Sequence, residues 1–193
     1  MKKIIYVIAL FTSVMHAQVG IGTTNPTSKL EIDASTDAIP ALEIVPRTTA
    51  PTGTANGQIS MIDGSLYIYD VTRAKWLSSE TLPFSFALSG TGNNGVYLGY
   101  SGVTSSLTGV KMPFDGTIVI VTAESSGQNA NKGFEIRKTT ANTTIFTFNL
   151  VNYTYTNSTL NIDFNAGDYL NVFSNTTANT ANPIVNIFVK WRK

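Results

Sequence analysis

Side chains that perform nucleophilic or metal chemistry are nearly absent from this sequence of 193 residues. It contains one histidine, His16, and no cysteine. Ser-His-Asp and Cys-His arrangements both need a histidine beside the nucleophile, and His16 lies at the extreme N-terminal end. Disulfides and cysteine-ligated metal sites are excluded because cysteine is absent.

Carboxylate pairs are the remaining route to catalysis, because two carboxyl groups can hydrolyse a glycosidic bond. The candidates are Asp115, Glu124, Glu135, Asp163 and Asp168. Asp115 and Asp168 adjoin glycines in predicted turns, where aspartate commonly accepts backbone hydrogen bonds. Glu135 and Asp163 fall on the polar faces of predicted strands, as surface carboxylates do. We therefore predict a protein that is not an enzyme and uses no cofactor; a glycosidase requires two carboxylates about 5–10 Å apart in a cleft.

Metal and nucleotide sites are not predicted either. The loop 124–133 offers amides and hydroxyls but a single carboxylate, Glu124, whereas calcium needs several converging oxygens. Gly20 and Gly22 do not form a phosphate loop, because the lysine and the helix that such a loop needs do not follow them.

Aromatic and amide side chains form the strongest candidate for a binding site. Saccharides stack their C–H faces on aromatic rings, and their hydroxyls need directional polar partners. The predicted ligand contacts are Asn93, Asn94, Tyr97 and Tyr100 in one region, and Asn152, Tyr153 and Tyr155 in another. The alternative is structural, because tyrosine is common in strands and asparagine in turns.

Residues 1–17 have the layout of a secretory signal peptide. Residues 1–3 are cationic, residues 4–14 are apolar, and Ala17 precedes the predicted cleavage point. The apolar stretch is shorter than the about 20 residues that span a bilayer. We predict a secreted or cell-surface protein with no membrane span in the mature chain; an uncleaved N-terminal anchor is the alternative. Because His16 lies in this segment, the mature chain is expected to lack histidine.

Composition favours an all-β fold. Charged residues make up only 13% of the chain, against roughly 25% in ordinary globular proteins. Asparagine, threonine, serine and glycine take their place, as on neutral β surfaces. The net charge of +1 provides no broad basic surface, so no nucleic-acid partner is predicted.

The elements that must position these residues fall into two regions. Residues 18–82 are interrupted by glycine and proline, and two short strands are predicted at 29–32 and 41–44. A hairpin is predicted at 58–70, because Asp63-Gly64 is a strong two-residue turn signal. We interpret 18–82 as a stalk or β-hairpin module, which cannot bury a core alone.

Residues 83–193 alternate between apolar and polar positions in a run of short strands. The predicted strands are 84–88, 96–98, 117–123, 134–137, 144–150 and 184–191, with a strand, turn and strand over 160–173. Residues 117–123 are apolar on both faces, which is typical of a central strand. No helix is predicted after the signal peptide, and the pattern favours an antiparallel sandwich or jelly roll.

Two parts of the chain carry resemblances. MPFDGTIVIV (112–121) and the turn Ala166-Gly167-Asp168 resemble the C1q/TNF-like jelly rolls of bacterial and phage-fibre type, over roughly residues 83–193. VGIGTTNPTSKLEI (19–32) resembles the opening module of secreted Bacteroidetes proteins and of tail-fibre-like proteins, and GSLYIYD with KWL (64–77) resembles its companion hairpins. Together these resemblances imply a trimeric head on a short trimeric β stalk.

The resemblance also implies that the strand after the Gly-Asp turn and the last strand share an inner sheet around a three-fold axis. Tyr169, Phe173 and Phe188 lie on the faces of these strands opposite the core positions. We predict that these three residues form a homotrimer interface. Isolated surface aromatics are the alternative.

These observations predict an exported homotrimer for adhesion or recognition of glycans or of a cell-surface polymer. Trimerisation would raise the avidity of weak single sites. Two alternatives remain: a structural coat or matrix subunit without a specific ligand, and a receptor-binding protein like those of phage tail fibres.

Overall fold

The computed structural model describes residues 19–21, 23–24, 28–36, 38–101, 109–138, 143–175 and 178–193. The predicted signal peptide lies outside these ranges. Within them the chain is all-β and contains no helix, so no described helix has the length and apolarity to cross a membrane. The chain divides into two compact units, Met1–Val45 and Pro46–Lys193.

The first unit contains two short strands, β1 (Val19–Ile21) and β2 (Leu30–Ile32), which pair in parallel. The strand predicted at 29–32 is thereby confirmed. The strand predicted at 41–44 is wrong, because these residues form no strand. No neighbouring strand among the described residues pairs with them, and Pro40 removes a backbone donor at their start.

The second unit begins with a small antiparallel sheet of β3 (Ile59–Ile62), β4 (Ser65–Asp70) and β5 (Lys75–Ser78). The predicted hairpin is confirmed in β3 and β4. Asp63 and Gly64 have φ angles of 49° and 78°, the left-handed conformations that a tight hairpin turn requires. Trp76 is buried in this sheet, and its indole N–H donates to the carbonyl of Pro51 at 2.7 Å.

Two larger antiparallel sheets follow. Sheet 1 contains β7 (Val96–Tyr97), β8 (Val110–Lys111), β11 (Gly133–Lys138), β12 (Thr143–Asn149) and β15 (Tyr169–Ser174). Sheet 2 contains β6 (Leu82–Ala87), β9 (Gly116–Glu124), β13 (Thr154–Asn157), β14 (Ile162–Phe164) and β17 (Ile184–Trp191). A short pair of β10 (Gly127–Gln128) and β16 (Thr180–Ala181) lies in the loops.

Both sheets direct alternate side chains into one hydrophobic core. Phe134 and Val172 come from sheet 1, and Phe86 and Ile187 come from sheet 2; all four are buried. The predicted central strand is confirmed, because β9 pairs with β17 on one side and with β13 and β14 on the other. The other strands predicted after residue 83 also form, at the predicted positions within a few residues.

The strands around the Gly-Asp turn enter different sheets. Gly167 has a φ of 87°, and the Asp168 carboxylate accepts the Asn165 amide N–H at 2.9 Å. This turn carries the chain from β14 in sheet 2 to β15 in sheet 1. The expectation that β15 and β17 share one sheet is therefore wrong: β15 pairs with β11 and β8, whereas β17 lies between β9 and β6.

The small sheet is joined to sheet 2 by polar contacts. The Arg73 guanidinium donates to the carbonyl of Leu160 at 2.6 Å. The Lys75 ammonium donates to Asp163 at 2.6 Å, and the Lys193 amide donates to the carbonyl of Trp76 at 3.0 Å. The predicted module boundary at residue 82 thus lies inside the second unit.

Candidate functional site

The first region of predicted ligand contacts is dispersed by the fold. Asn93 is buried, and its side chain donates to the carbonyl of Gly90 at 3.0 Å. Asn94 is exposed at the loop end of the sandwich. Tyr97 lies on the outer face of sheet 1, and Tyr100 packs against core residue Phe86 with ring centroids 5.6 Å apart. These four residues do not form one site.

The second region contributes an exposed turn. Asn152 and Tyr153 have left-handed φ angles of 51° and 69°, and both side chains are exposed. The Tyr153 amide donates to the carbonyl of Ala130 at 2.9 Å, which places the turn beside the loop that also reaches Asn94. Tyr155 instead stacks on Phe148 at 4.5 Å. Ligand contact at the exposed residues stays a prediction.

A buried lysine, which the sequence gives no reason to single out, ties these loops together. Lys132 is fully buried, and its ammonium donates to the carbonyls of Asn175 and Ala178. It also lies 3.4 Å from the Asn94 side-chain oxygen. Among the described residues no carboxylate pairs with it, and burial lowers the pKa of Lys132. This lysine fixes three loops and is unavailable to a ligand.

The outer face of sheet 1 carries an ordered cluster, here named the outer-face network, of Tyr97, Glu135, Arg137, Thr144 and Phe173. The Arg137 guanidinium donates to Glu135 at 2.8 Å and to the Tyr97 hydroxyl at 2.9 Å. It also lies 3.8 Å from the Phe173 ring centroid, within the range of a cation–π contact. Glu135 and Arg137 are two residues apart on one strand, so their shared face was readable from the sequence.

The residues predicted to form the trimer interface occupy two faces. Tyr169 and Phe173 lie on the outer face of sheet 1, and Phe188 lies on the outer face of sheet 2; all three are half-buried. Between the first two stands Asn171, which is 1% exposed. Neither polar atom of its amide has a hydrogen-bond partner in the part of the chain that the structure describes.

Four of the five candidate carboxylates are engaged in structural contacts, and Glu135 is the one in the outer-face network. Asp115 accepts the Ala166 amide at 2.8 Å, and Asp163 accepts the Thr117 hydroxyl at 2.7 Å. Asp168 caps the turn described above, and Glu124 is exposed at the end of β9. Within the described ranges, no group of three histidine, cysteine, aspartate or glutamate residues could hold a metal ion.

Comparison of the chain with protein families, with characterised proteins and with solved structures found no match. Functional inference therefore depends on the arrangement of the chain's own residues. Two arrangements combine aromatic rings that reach the surface with fixed polar groups: the outer-face network, whose rings are half-buried, and a surface around the exposed Phe114.

Acid is expected to weaken the outer-face network. Burial raises the pKa of Glu135, but hydrogen bonds from Thr144 and Arg137 and the arginine charge outweigh it, so the pKa lies below its ordinary value of 4.5. The stabilisation is therefore present above pH 4.5 and is lost as the pH falls through the lowered pKa. In urea denaturation at neutral pH, the free energy of unfolding of the wild type should exceed that of Glu135→Gln by about 1 kcal/mol. This difference should vanish in acid. A difference that does not change with pH would contradict the ion pair.

Proposed function

We propose that this chain is an exported, non-enzymatic surface or fibre-tip protein that forms a homotrimer and recognises glycans or another cell-surface polymer. In this proposal residues 83–193 would be the head, which resembles a C1q/TNF-like jelly roll in its sequence motifs, and residues 18–82 would be a short stalk. The observation that carries the proposal is the outer-face network, with its half-exposed aromatic rings.

The composition of this face is that of a protein interface. Tyrosine, phenylalanine and arginine are enriched in the centres of interfaces, where they supply contact area and hydrogen bonds together. Arg137 holds Tyr97 and Phe173 in place, so little side-chain entropy is lost when a partner binds.

Placement of the interface residues on two faces is compatible with a closed ring. In a three-fold assembly each chain presents one patch to one neighbour and a different patch to the other neighbour. Tyr169 and Phe173 would then contact the neighbour's Phe188 face. Three copies would multiply the avidity of a weak recognition site.

Light scattering after size exclusion tests the assembly. Residues 18–193 are expected to have the mass of a trimer. Phe173→Glu and Phe188→Glu should each give a monomer, because a buried unpaired charge opposes association. Tyr153→Glu places the same charge on an exposed aromatic at the loop end and should remain trimeric. A monomeric wild type would overturn the trimer, and a trimeric Phe188→Glu would remove that residue from the interface.

Binding to fixed bacterial cells and to immobilised cell-wall polysaccharide tests recognition separately. The variants Asn94→Ala, Asn152→Ala and Tyr153→Ala alter exposed loop residues and should leave the mass unchanged. Weaker binding by any of these trimeric variants supports recognition through the loops. A wild-type trimer that binds neither cells nor polysaccharide would favour the structural coat or matrix subunit.

A further inference from the structure

Phe114 is a large apolar side chain that the second unit leaves uncovered, with 60% of its surface exposed. It forms a wall shared by two clefts of about 290 and 390 Å³. The first cleft is also lined by Ser65, Tyr67, Ser79, Glu80 and Trp191. The second is also lined by Tyr67, Asp115, Arg192 and Lys193. Each volume is near the lower end of the roughly 300–1,000 Å³ that small-molecule sites occupy.

The exposed ring has a rigid base. Trp191 contacts Phe114 edge to face, with centroids 5.5 Å apart and an interplanar angle of 75°. Trp191 in turn contacts the fully buried Phe164 at 6.3 Å and 82°. A continuous series of aromatic contacts therefore runs from the core to the surface. A ligand that stacks on Phe114 would meet a ring that is already ordered, which limits the entropic cost of binding.

The polar groups of the clefts favour a neutral ligand. Lys193 pairs with Asp63 at 2.8 Å, and Arg192 lies 3.7 Å from Asp163. Both cations that line the clefts thus have carboxylate partners. Asp115 accepts the Ala166 amide through one oxygen, which fixes a carboxylate at the cleft wall. The negative charges of Asp115 and Glu80 would repel an acidic ligand, whereas hydroxyl groups can donate to them.

We infer that the Phe114 clefts bind a neutral saccharide. The C–H face of one pyranose ring stacks on Phe114, and its hydroxyls donate to Asp115 and exchange hydrogen bonds with Ser65 and Ser79. Because two small clefts share one aromatic wall, a segment of at least two sugar units fits better than a single unit. The inference rests on the proposed recognition function and assigns its ligand class. The site lies at the opposite end of β9 from the exposed loop residues Asn152 and Tyr153.

Titration calorimetry with defined tetrasaccharides tests the inference on residues 18–193. The neutral probes are cellotetraose, maltotetraose, mannotetraose and N-acetylchitotetraose, and the acidic probe is tetragalacturonate. At least one neutral probe should bind the wild type, and Phe114→Ala should weaken that binding about tenfold, in line with the loss of one stacking contact. Phe114→Tyr keeps the ring face and should bind nearly as wild type. Val151→Ala is the matched control, because Val151 is 66% exposed and lies at the loop end.

The other possible results would each overturn a different part of the argument. Equal binding by wild type and Phe114→Ala would overturn the site while leaving recognition intact. Binding of tetragalacturonate alone would overturn the neutral class. A wild type that binds none of the tetrasaccharides but binds immobilised cell-wall polysaccharide would overturn this inference and not the proposed function. Failure of the wild type to bind polysaccharide, cells and tetrasaccharides would overturn both.

Discussion

Arg73→Ala should lower the free energy of unfolding of the second unit by about 3 kcal/mol. The guanidinium is 14% exposed and donates to the carbonyls of Leu160, Ser158 and Val119 at 2.6, 3.1 and 3.3 Å. Val119 is the extra residue where the pairing of β9 and β17 shifts register. Alanine would leave these acceptors without their charged donor, and Asp70 would lose its charged partner while keeping the backbone N–H of residue 73.

Urea denaturation followed by tryptophan fluorescence measures the effect, because Trp76 lies in the small sheet that Arg73 attaches. Arg73→Lys keeps the charge but not the several donors of the planar guanidinium, so an intermediate loss is expected. Arg47→Ala is the matched control: its side chain is exposed, and we expect a change below about 0.5 kcal/mol. A similar small change in Arg73→Ala would show that the guanidinium does not hold the small sheet.

Lys132→Met should lower the free energy of unfolding by about 2–3 kcal/mol. Methionine has a similar length, so the main loss is the donor that the carbonyls of Asn175 and Ala178 share. Each unpaired buried acceptor costs about 1–3 kcal/mol. The variant also avoids the desolvation of a buried ammonium, but we expect this gain to be smaller than the cost of the two unpaired carbonyls. Lys111→Met, at an exposed position, should change stability little.

The loss caused by Lys132→Met should also depend on pH. Burial lowers the pKa of Lys132 below its ordinary value of 10.5. In the interval between the lowered pKa and 10.5, the unfolded chain holds the proton that the folded chain has released. The free energy of unfolding of the wild type therefore rises with pH across that interval. Lys132→Met lacks this rise, so the difference in free energy of unfolding between wild type and variant should widen. A constant gap would show that Lys132 keeps an ordinary pKa.

Local patterns predicted the strands well because their causes are local. Asp63-Gly64 fits only a tight turn, and alternation over 184–191 and 146–150 directs every second side chain into a core. The same patterns fail to predict structure where a strand forms only if a neighbouring strand pairs with it. Residues 41–44 alternate suitably but have no strand beside them among the described residues, so their pattern has no sheet to join.

The candidate sites were less predictable because they join distant segments. The outer-face network combines Tyr97, Glu135 and Phe173, which lie far apart in the sequence. Only the two-residue spacing of Glu135 and Arg137 indicates that any of its members share a face. The Phe114 clefts bring together the small sheet, the entry to β9 and the residues after β17, which no periodicity connects. Lys132 resembles any loop lysine, because its burial is decided by the loops that fold around it.

The position of β17 between β9 and β6 has a consequence for the order in which the chain can fold. β17 is the last of these strands to be synthesised, and sheet 2 cannot close until it inserts between two strands made much earlier. Such non-local pairing slows folding, because long loops must close before the contacts form. In the export that we propose for this chain, the nascent polypeptide would therefore stay open while its early segments pass through a translocation channel, which admits extended polypeptide. Slow closure of sheet 2 would then assist the proposed export rather than hinder it.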